Sequence, residues 1–479
     1  MGLAWHPRCI TPVSLSAVLP ERFRPLVTQT ADLGRLFSDR GLKLYLVGGV
    51  VRDAIIGRLS DTSDLDFTTD ATPDVTESIL SGWADAVWTQ GKRFGTVGAK
   101  KGGRSFEITT HRADSYNPDS RHPRVVFADA VEADLSRRDF TVNAMALSLP
   151  DLRLIDPFDG TADLANGLLR TPLEPEVSFS DDPLRMLRAA RFVSGYGLSP
   201  DGALVEAVKA TRSRLGIVSE ERIRDELDKL MVVESPGAGL WFLVQTGLAE
   251  EFLPELPALA LEADPLHRHK DVLAHTIAVV EKTSPDRLLR LAALFHDVGK
   301  PKTRSFGPGG SVSFHHHEMV GARMTRERMK ALHYSNEDIH DVSRLVELHL
   351  RFHTYQMGWT DTAVRRYVRD AGPLLERLNE LTRSDCTTRN AAKARALDRR
   401  MDELERRISE LETKERLDSI RPDLDGVEVM RRLGIPAGKD VGAALDFLLE
   451  LRLEEGPLGA GEAGRRLDTW WEERKSAQG

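Results

Sequence analysis

Apolar positions along this chain change their period twice. Residues 25–40 predict an amphipathic helix. KLYLVGGV then predicts a buried strand, Leu44, Tyr45, Leu46 and Val47, running into a Gly48-Gly49 turn. VRDAIIGRL continues as a helix ending near Gly57. DLDFTT, TVGAKK, SFEITTHR and VVFAD read as further short strands, so the chain up to about 155 is a small mixed α/β region. From DDPLRMLRAARF (181–192) the spacing turns almost wholly helical, with Leu184, Leu187, Ala190 and Phe192 marking the apolar face. A Pro-rich stretch, PELPALALEADPLHRH (254–269), opens a second helical region. Eleven of the fourteen histidines fall between 267 and 353. Residues 389–416 predict a long charged helix, with five Lys/Arg against one Asp in 389–400. No internal repeat and no low-complexity tract interrupts the pattern.

A chain of 479 residues implies several folding units, and 41% hydrophobic with 29% charged residues is a globular composition. No apolar run approaches the roughly 18–20 residues of a membrane span. MGLAWHPRCITPVSLSAVLP lacks the basic start and clean apolar stretch of a signal peptide, so none is expected. Cys9 and Cys386 alone make no disulfide framework, and a cytoplasmic location is expected. A net charge of −8 argues against a uniform coat of nucleic-acid affinity while leaving room for local basic surfaces.

Asp64 and Asp66 stand two apart in SDLDFTT. On a strand, both carboxylates share one face and Leu65 and Phe67 the other. Two such acids repel until something neutralises them. Mg²⁺ does so, favouring one or two carboxylates together with phosphate oxygens. Two ions there suit phosphoryl transfer, activating a hydroxyl and stabilising a leaving oxygen. A lone DxD is more often an Asp-rich turn or an exposed strand of alternating polarity. The Gly48-Gly49 turn ahead of Arg52 and Asp53 adds a place where backbone approaches a phosphate. Glu107, in SFEITT, is a third acid that faces either the pair or solvent.

LVGGVVRDAIIGRLSDTSDLDF resembles the opening motif of the class II tRNA nucleotidyltransferase and bacterial poly(A) polymerase family. DLSRRDFTVNAMA (134–146), DPFDGTADLANGLLR (156–170), DDPLRMLRAARF (181–192) and SEERIRDEL (219–227) follow in that family's order. The resemblance covers about 45–245, with Asp181 where the family commonly has Glu. DLDGVEVMRRLGIPAGKDVGAAL resembles the tail of bacterial CCA-adding enzymes.

The resemblance implies a template-free enzyme that restores the 3′-terminal CCA of tRNA from CTP and ATP, with Asp64 and Asp66 holding catalytic Mg²⁺. It implies nucleotide binding by Gly48, Gly49, Arg52, Arg137 and Arg138, of which Gly49, Arg52 and Arg138 meet the triphosphate. Asp139 and Asn143 would serve the ribose and the turn, and Asp182, Arg185, Arg188 and Arg191 the incoming nucleotide. Cytosine and adenine each offer an exocyclic amine beside a ring nitrogen. A carboxylate accepts from the first and a guanidinium donates to the second, whereas uracil and guanine leave both contacts unsatisfied. Read without the family, Asp182-Pro183 is a helix start, and arginines at three-residue spacing form one side of a helix. Asp156, Asp159 and Gly160 would shape the junction between head and neck. GKRFGTVGAKKGG (91–103) is either a mobile loop near the triphosphate or a hairpin turn.

In the second half His275, then His296-Asp297 of LAALFHDVGKPKT, then Asp385 resemble the HD metal-dependent phosphohydrolase superfamily. Imidazole with carboxylate suits a divalent transition metal or Mg²⁺. His317 and His349 fall where two-metal relatives have extra ligands, while His315 and His316 read as ordinary surface or core groups. The bland alternative is a helical RNA-binding body that kept its histidines without activity.

An α+β architecture is therefore expected. After an extension (1–25) come a polymerase-β-like nucleotidyltransferase head (26–155), a helical neck (156–255), an HD domain (256–390) and a helical tRNA-binding tail (391–479). Expected partners are tRNA, CTP and ATP, with no membrane and no obligate protein partner. A poly(A) polymerase, an A-only or CC-only enzyme, an HD phosphohydrolase with an RNA-binding head, and a non-enzymatic RNA-end binder are the competing expectations.

Overall fold

Four consecutive apolar residues, Leu44–Val47, are buried on both faces, which suits a strand with neighbours on either side. The structure, a computed structural model, describes residues 15–59, 65–115, 124–128, 130–261, 271–307, 312–354, 359–386, 391–415 and 420–478. It is an α+β protein that divides into two compact units, 1–257 and 258–479.

The first unit carries strands β1 (Leu44–Val47), β2 (Leu65–Thr69), β3 (Ala86–Trp88), β4 (Thr96–Lys101), β5 (Arg104–Thr110), β6 (Arg112–Ser115), β7 (Arg124–Phe127), β8 (Ala146–Leu149) and β9 (Leu154–Ile155). Seven of them form one mixed sheet in the order β3-β4-β5-β2-β1-β8-β9. β2 and β5 are parallel; β1 runs antiparallel to both β2 and β8. SFEITTHR is not one strand: it breaks at His111, which is buried with Nδ1 on the Thr68 hydroxyl, 2.7 Å away. β6 and the VVFAD strand β7 then pair as a separate ribbon. GKRFGTVGAKKGG forms a 3-10 turn (Lys92–Phe94), the whole of β4 and, through left-handed Gly102 and Gly103 (φ 54° and 82°), the β4–β5 hairpin turn.

The first helix spans Leu15–Ser38 and so begins well before 25. Phe23, Leu26, Thr30, Leu33 and Phe37 continue one buried stripe along it. The helix after Gly48 ends as expected at left-handed Gly57. Downstream, helix Leu184–Tyr196 packs its apolar side against Glu220–Met231 and Gly237–Gln245. Gly239 is required there, because a Cβ would fall 2.4 Å from the Ala190 carbonyl.

The second unit is helical. Helices Val272–Lys282, Arg287–Phe295, His317–Ala331, Asn336–Leu348, Asp361–Ala371 and Leu375–Asp385 are its body. A hairpin, Arg304–Phe306 with Val312–Phe314, interrupts the helices, a feature the helical spacing did not announce. Three further helices, Gly426–Leu433, Lys439–Glu455 and Gly459–Gln478, close over Leu424, Val429, Ala444, Leu448 and Leu467. Buried Arg365 joins the parts: it forks onto Glu415 (2.9 and 2.8 Å) and donates to the Leu453 carbonyl (3.1 Å). No described helix is long and apolar enough to cross a membrane.

Candidate functional site

On β2, alternation drives Leu65 and Phe67 into the core, at 0% and 1% exposure, and leaves Asp66 exposed on the opposite face. Parallel register sets Glu107 of β5 directly beside Asp66, also exposed. Adjacent like charges disfavour each other, so the pair suits a cation. Asp64 lies outside the described residues. Gly48 adopts φ 78° and ψ −144°. A Cβ there would meet Arg138 Nη1 at 3.0 Å and Asp66 Oδ2 at 3.9 Å. The glycine turn thus brings a guanidinium and a carboxylate to one corner. Arg138 Nη2 donates to Asp134 (3.3 Å), and its Nε is buried without a partner, a donor available to an anion.

Arg52 sits behind this corner, 5% exposed. It donates to Asn143 Oδ1 (2.6 Å), to both Asp53 oxygens (2.9 and 3.0 Å) and to the Tyr196 hydroxyl, over whose ring it also stacks. Asn143 Nδ2 donates to Asp139 Oδ1 (2.9 Å), and Arg188 Nε to Asp139 Oδ2 (2.8 Å). Burial alone would raise the Asp139 carboxyl; Arg188 and Asn143 instead hold it well below the usual carboxylate range. Asp139 in turn raises Arg188. Arg191 Nε pairs with Glu226 (2.8 Å), which also faces Arg188 (3.6 Å).

The neck arginines therefore do not form a solvated face. Arg185, 8% exposed, donates to Ser178 Oγ (2.8 Å) and to the Arg137 carbonyl. Asp182 serves the helix start its position suggested and also pairs with a neighbouring arginine. Oδ1 accepts from the Leu184 backbone N–H (3.2 Å) at the helix start, and Oδ2 accepts from Arg222 (2.9 Å). Asp156 ties the turn at Gly160 and Thr161 through their N–H groups (2.7 and 2.9 Å), while Asp159 is left-handed.

A second cluster lies in the other unit. His275 Nε2 is 2.9 Å from Asp385 Oδ1, and His296 Nε2 is 3.2 Å from Asp297 Oδ2. His317 Nε2 is 3.4 Å from Asp297 Oδ1, and the His349 ring packs against both His296 and His317. His296, His317 and His349 each bond through Nδ1 to the carbonyl three residues earlier, Ala293, Phe314 and Val346, at 2.7, 2.8 and 2.7 Å. That bond fixes each ring so that Nε2 faces the centre, the arrangement of a metal-binding imidazole. Burial and the neighbouring His296 push His349 down to about 3, keeping it neutral. Two groups emerge, His275-His296-Asp297 and Asp297-His317-His349, and Asp297 belongs to both. His315 and His316 are exposed, the surface alternative of the two open to them.

Four participants escaped the sequence reading: Asp134, Tyr196, Glu226 and Lys300, whose ammonium lies 2.6 Å from Asp297. Asp134 and Lys300 carried a signal, opposite charges three or four residues apart. Tyr196 and Glu226 carried none.

Residues 44–170 match the family described as the Poly A polymerase head domain, 197–259 the probable RNA and SrmB-binding site of polymerase A, and 272–408 the HD domain. The class is that of a nucleotidyltransferase head joined to an HD body. An A-adding tRNA nucleotidyltransferase of Deinococcus radiodurans is 33% identical over 444 residues, 89% of this chain and 95% of that protein. A CCA-adding enzyme of Geobacillus thermodenitrificans is 34% identical over 59% of this chain and 66% of that protein. The chain belongs to the tRNA nucleotidyltransferase family of A-adding and CCA-adding enzymes. Its fold is that of the Bacillus stearothermophilus CCA-adding enzyme solved with CTP, at a TM-score of 0.71 and 23% identity over 95% of this chain and 100% of the other.

Proposed function

We propose that this protein completes the 3′ end of tRNA by template-free addition of C, C and A from CTP and ATP. The observation that carries the reading is the corner where Gly48, Asp66 and Arg138 meet beside Glu107, in a chain whose relatives are named for adding nucleotides to tRNA. The terminal hydroxyl of the RNA attacks the α-phosphorus of the bound nucleotide, the bond to the bridging oxygen breaks, and pyrophosphate leaves. Mg²⁺ held by Asp64 and Asp66 would supply charge stabilisation to the attacking and leaving oxygens. Arg138, with donors beside Gly48, takes the triphosphate; Gly49, Arg52 and Arg137 form the wall behind it. Asp139 and Asn143 orient the sugar side. Asp182 and Arg185 read the amine and ring nitrogen shared by C and A, exchanging their internal partners for the base. Arg188 and Arg191 hold that helix in place through Asp139 and Glu226. Neck and tail grip the tRNA, with exposed Arg395 and Arg399 as phosphate contacts. A cytoplasmic location goes with this reading.

The histidine cluster is a two-cation phosphohydrolase centre in the same proposal. His275, His296, Asp297 and Asp385 would hold one divalent ion, and Asp297, His317 and His349 would hold the other. A phosphomonoester or cyclic phosphate at an RNA end is the substrate.

Addition of A alone is the second reading, favoured by the relative that aligns over 89% of this chain. Incorporation on tRNA transcripts ending at the discriminator base, at C or at CC, given CTP, ATP or both, separates the two. Growth to CCA followed by arrest, abolished in Asp66→Ala, is the expected result. Extension of CC ends only would establish the A-adding enzyme; long A tails or no incorporation would refute both.

A further inference from the structure

We infer that Asp134 is the positioning residue that holds Arg137 and Arg138 in the orientation a triphosphate requires, an inference that rests on the reading of Arg138 as a triphosphate ligand. Asp134 lies on helix Val131–Ser136, whose Val131 and Leu135 pack with Tyr45, Val47 and Ala146 against the sheet. By alternation and register, that is the face on which Asp66 stands. The Asp134 side chain is 0% exposed, and a carboxylate so buried needs partners for both oxygens. Oδ1 accepts from Arg137 Nε (3.1 Å) and Nη2 (2.7 Å); Oδ2 accepts from Arg138 Nη2 (3.3 Å). Burial alone would raise the Asp134 carboxyl, but Arg138 and Arg137 hold it low, so it stays charged.

The two ends of the Arg138 guanidinium thus have different tasks. Nη2 is anchored on Asp134, while Nη1 lies at the Gly48 and Asp66 corner and Nε is buried with no partner. A guanidinium clamped at one edge has little rotamer freedom left to lose when an anion takes the other donors. His111 is buried with Nδ1 on Thr68 and its Nε2 has no partner; burial lowers its pKa, so it brings no full positive charge to Asp134. The side-chain hydrogen bonds to Asp134 come from Arg137 and Arg138.

The test measures KM and kcat for CTP and ATP, with pyrophosphate as product inhibitor, in the wild type, Asp134→Asn, Arg138→Ala and the double variant. Asp134→Asn is expected to raise KM about ten-fold, with the pyrophosphate Ki rising in step and kcat within about three-fold. The double variant is expected to match Arg138→Ala within about two-fold, since the two changes remove one interaction. A purely structural Asp134 lowers the active fraction, and hence kcat, at unchanged KM; that result overturns the inference. If Arg138→Ala leaves KM unchanged, the triphosphate reading fails and the inference with it. A raised KM in Arg138→Ala beside an unchanged KM in Asp134→Asn overturns the inference alone. Should Asp134→Asn not fold, Asp134→Glu keeps the charge but displaces it by one methylene. A KM rise of about three-fold or more in that variant supports the inference, and an unchanged KM overturns it.

Discussion

The Tyr196 ring centroid lies 4.0 Å from the Arg52 guanidinium carbon, and its hydroxyl accepts a hydrogen bond from the same group. A partly desolvated cation over an aromatic face contributes about 1–2 kcal/mol, and a neutral acceptor on a charged donor about as much again. Tyr196→Phe keeps the ring and loses the hydroxyl, so it is expected to destabilise the 1–257 unit by about 1 kcal/mol. Tyr196→Ala loses both and opens a cavity beside Phe192, for about 3 kcal/mol. Urea unfolding of the 1–257 unit measures both; no shift in Tyr196→Phe would show that the hydroxyl bond adds nothing, and equal shifts in the two variants that the ring adds nothing. Arg52 itself was legible in the sequence because a glycine turn before VRD is a local pattern. Tyr196 was not: it meets Arg52 across 144 residues, and nothing near either residue announces the contact.

Among elements, the close approach of helix His317–Ala331 to Gly299 decides the geometry of the histidine cluster. A Cβ on Gly299 would lie 2.1 Å from the His317 carbonyl oxygen and 2.8 Å from the Gly321 backbone nitrogen. Backbone cannot give way as a side-chain end does, so Gly299→Ala must push the helix, and His317 with it, away from Asp297. Lowered divalent-metal content by mass spectrometry, with CMP and AMP incorporation unchanged, is the expected outcome. Full metal content in Gly299→Ala would show that His317 is no ligand. A continuous apolar run made β1 legible, and alternation made β2 and β5 legible, and the Asp66 face with them, since period two needs no knowledge of neighbours. Glu107 was legible as a candidate third acid, but its register directly beside Asp66 was not, because parallel register depends on how two strands dock. The helix over 15–38 was read short because its early turns hold Pro20 and Pro25, while the buried stripe through Phe23 and Leu26 shows itself only once the helix has packed.

On the scale of a whole unit, the charged chain from Arg52 through Asn143, Asp139 and Arg188 to Glu226 ties residues of the sheet region to the helices that follow. Burial would raise Glu226, but Arg191 and Arg188 hold it below its ordinary 4.5. A carboxylate depressed on folding adds stability that is complete above its unfolded value and is lost as pH falls towards its folded one. Unfolding of the 1–257 unit is therefore expected to become easier below about pH 4.5, by up to about 1.4 kcal/mol per pH unit for each such carboxylate. Glu226→Gln should be less stable at neutral pH and show a shallower acid slope; an unchanged slope would place the acid-labile group elsewhere. Ordered motifs made the division into head, neck, histidine-rich body and tail readable in the sequence. Arg365, which binds Glu415 and the Leu453 carbonyl, stayed invisible because its partners lie 50 and 88 residues away.

That same chain of contacts bears on how the protein is made. Protein synthesis delivers the strands first, and domains fold as they emerge. The wall behind the nucleotide corner, however, closes only when Tyr196 covers Arg52, and the helix carrying Arg188 is braced only when Glu226 has left the ribosome. A nascent chain that ends before about 226 displays its acidic strand but lacks a finished place for a nucleotide.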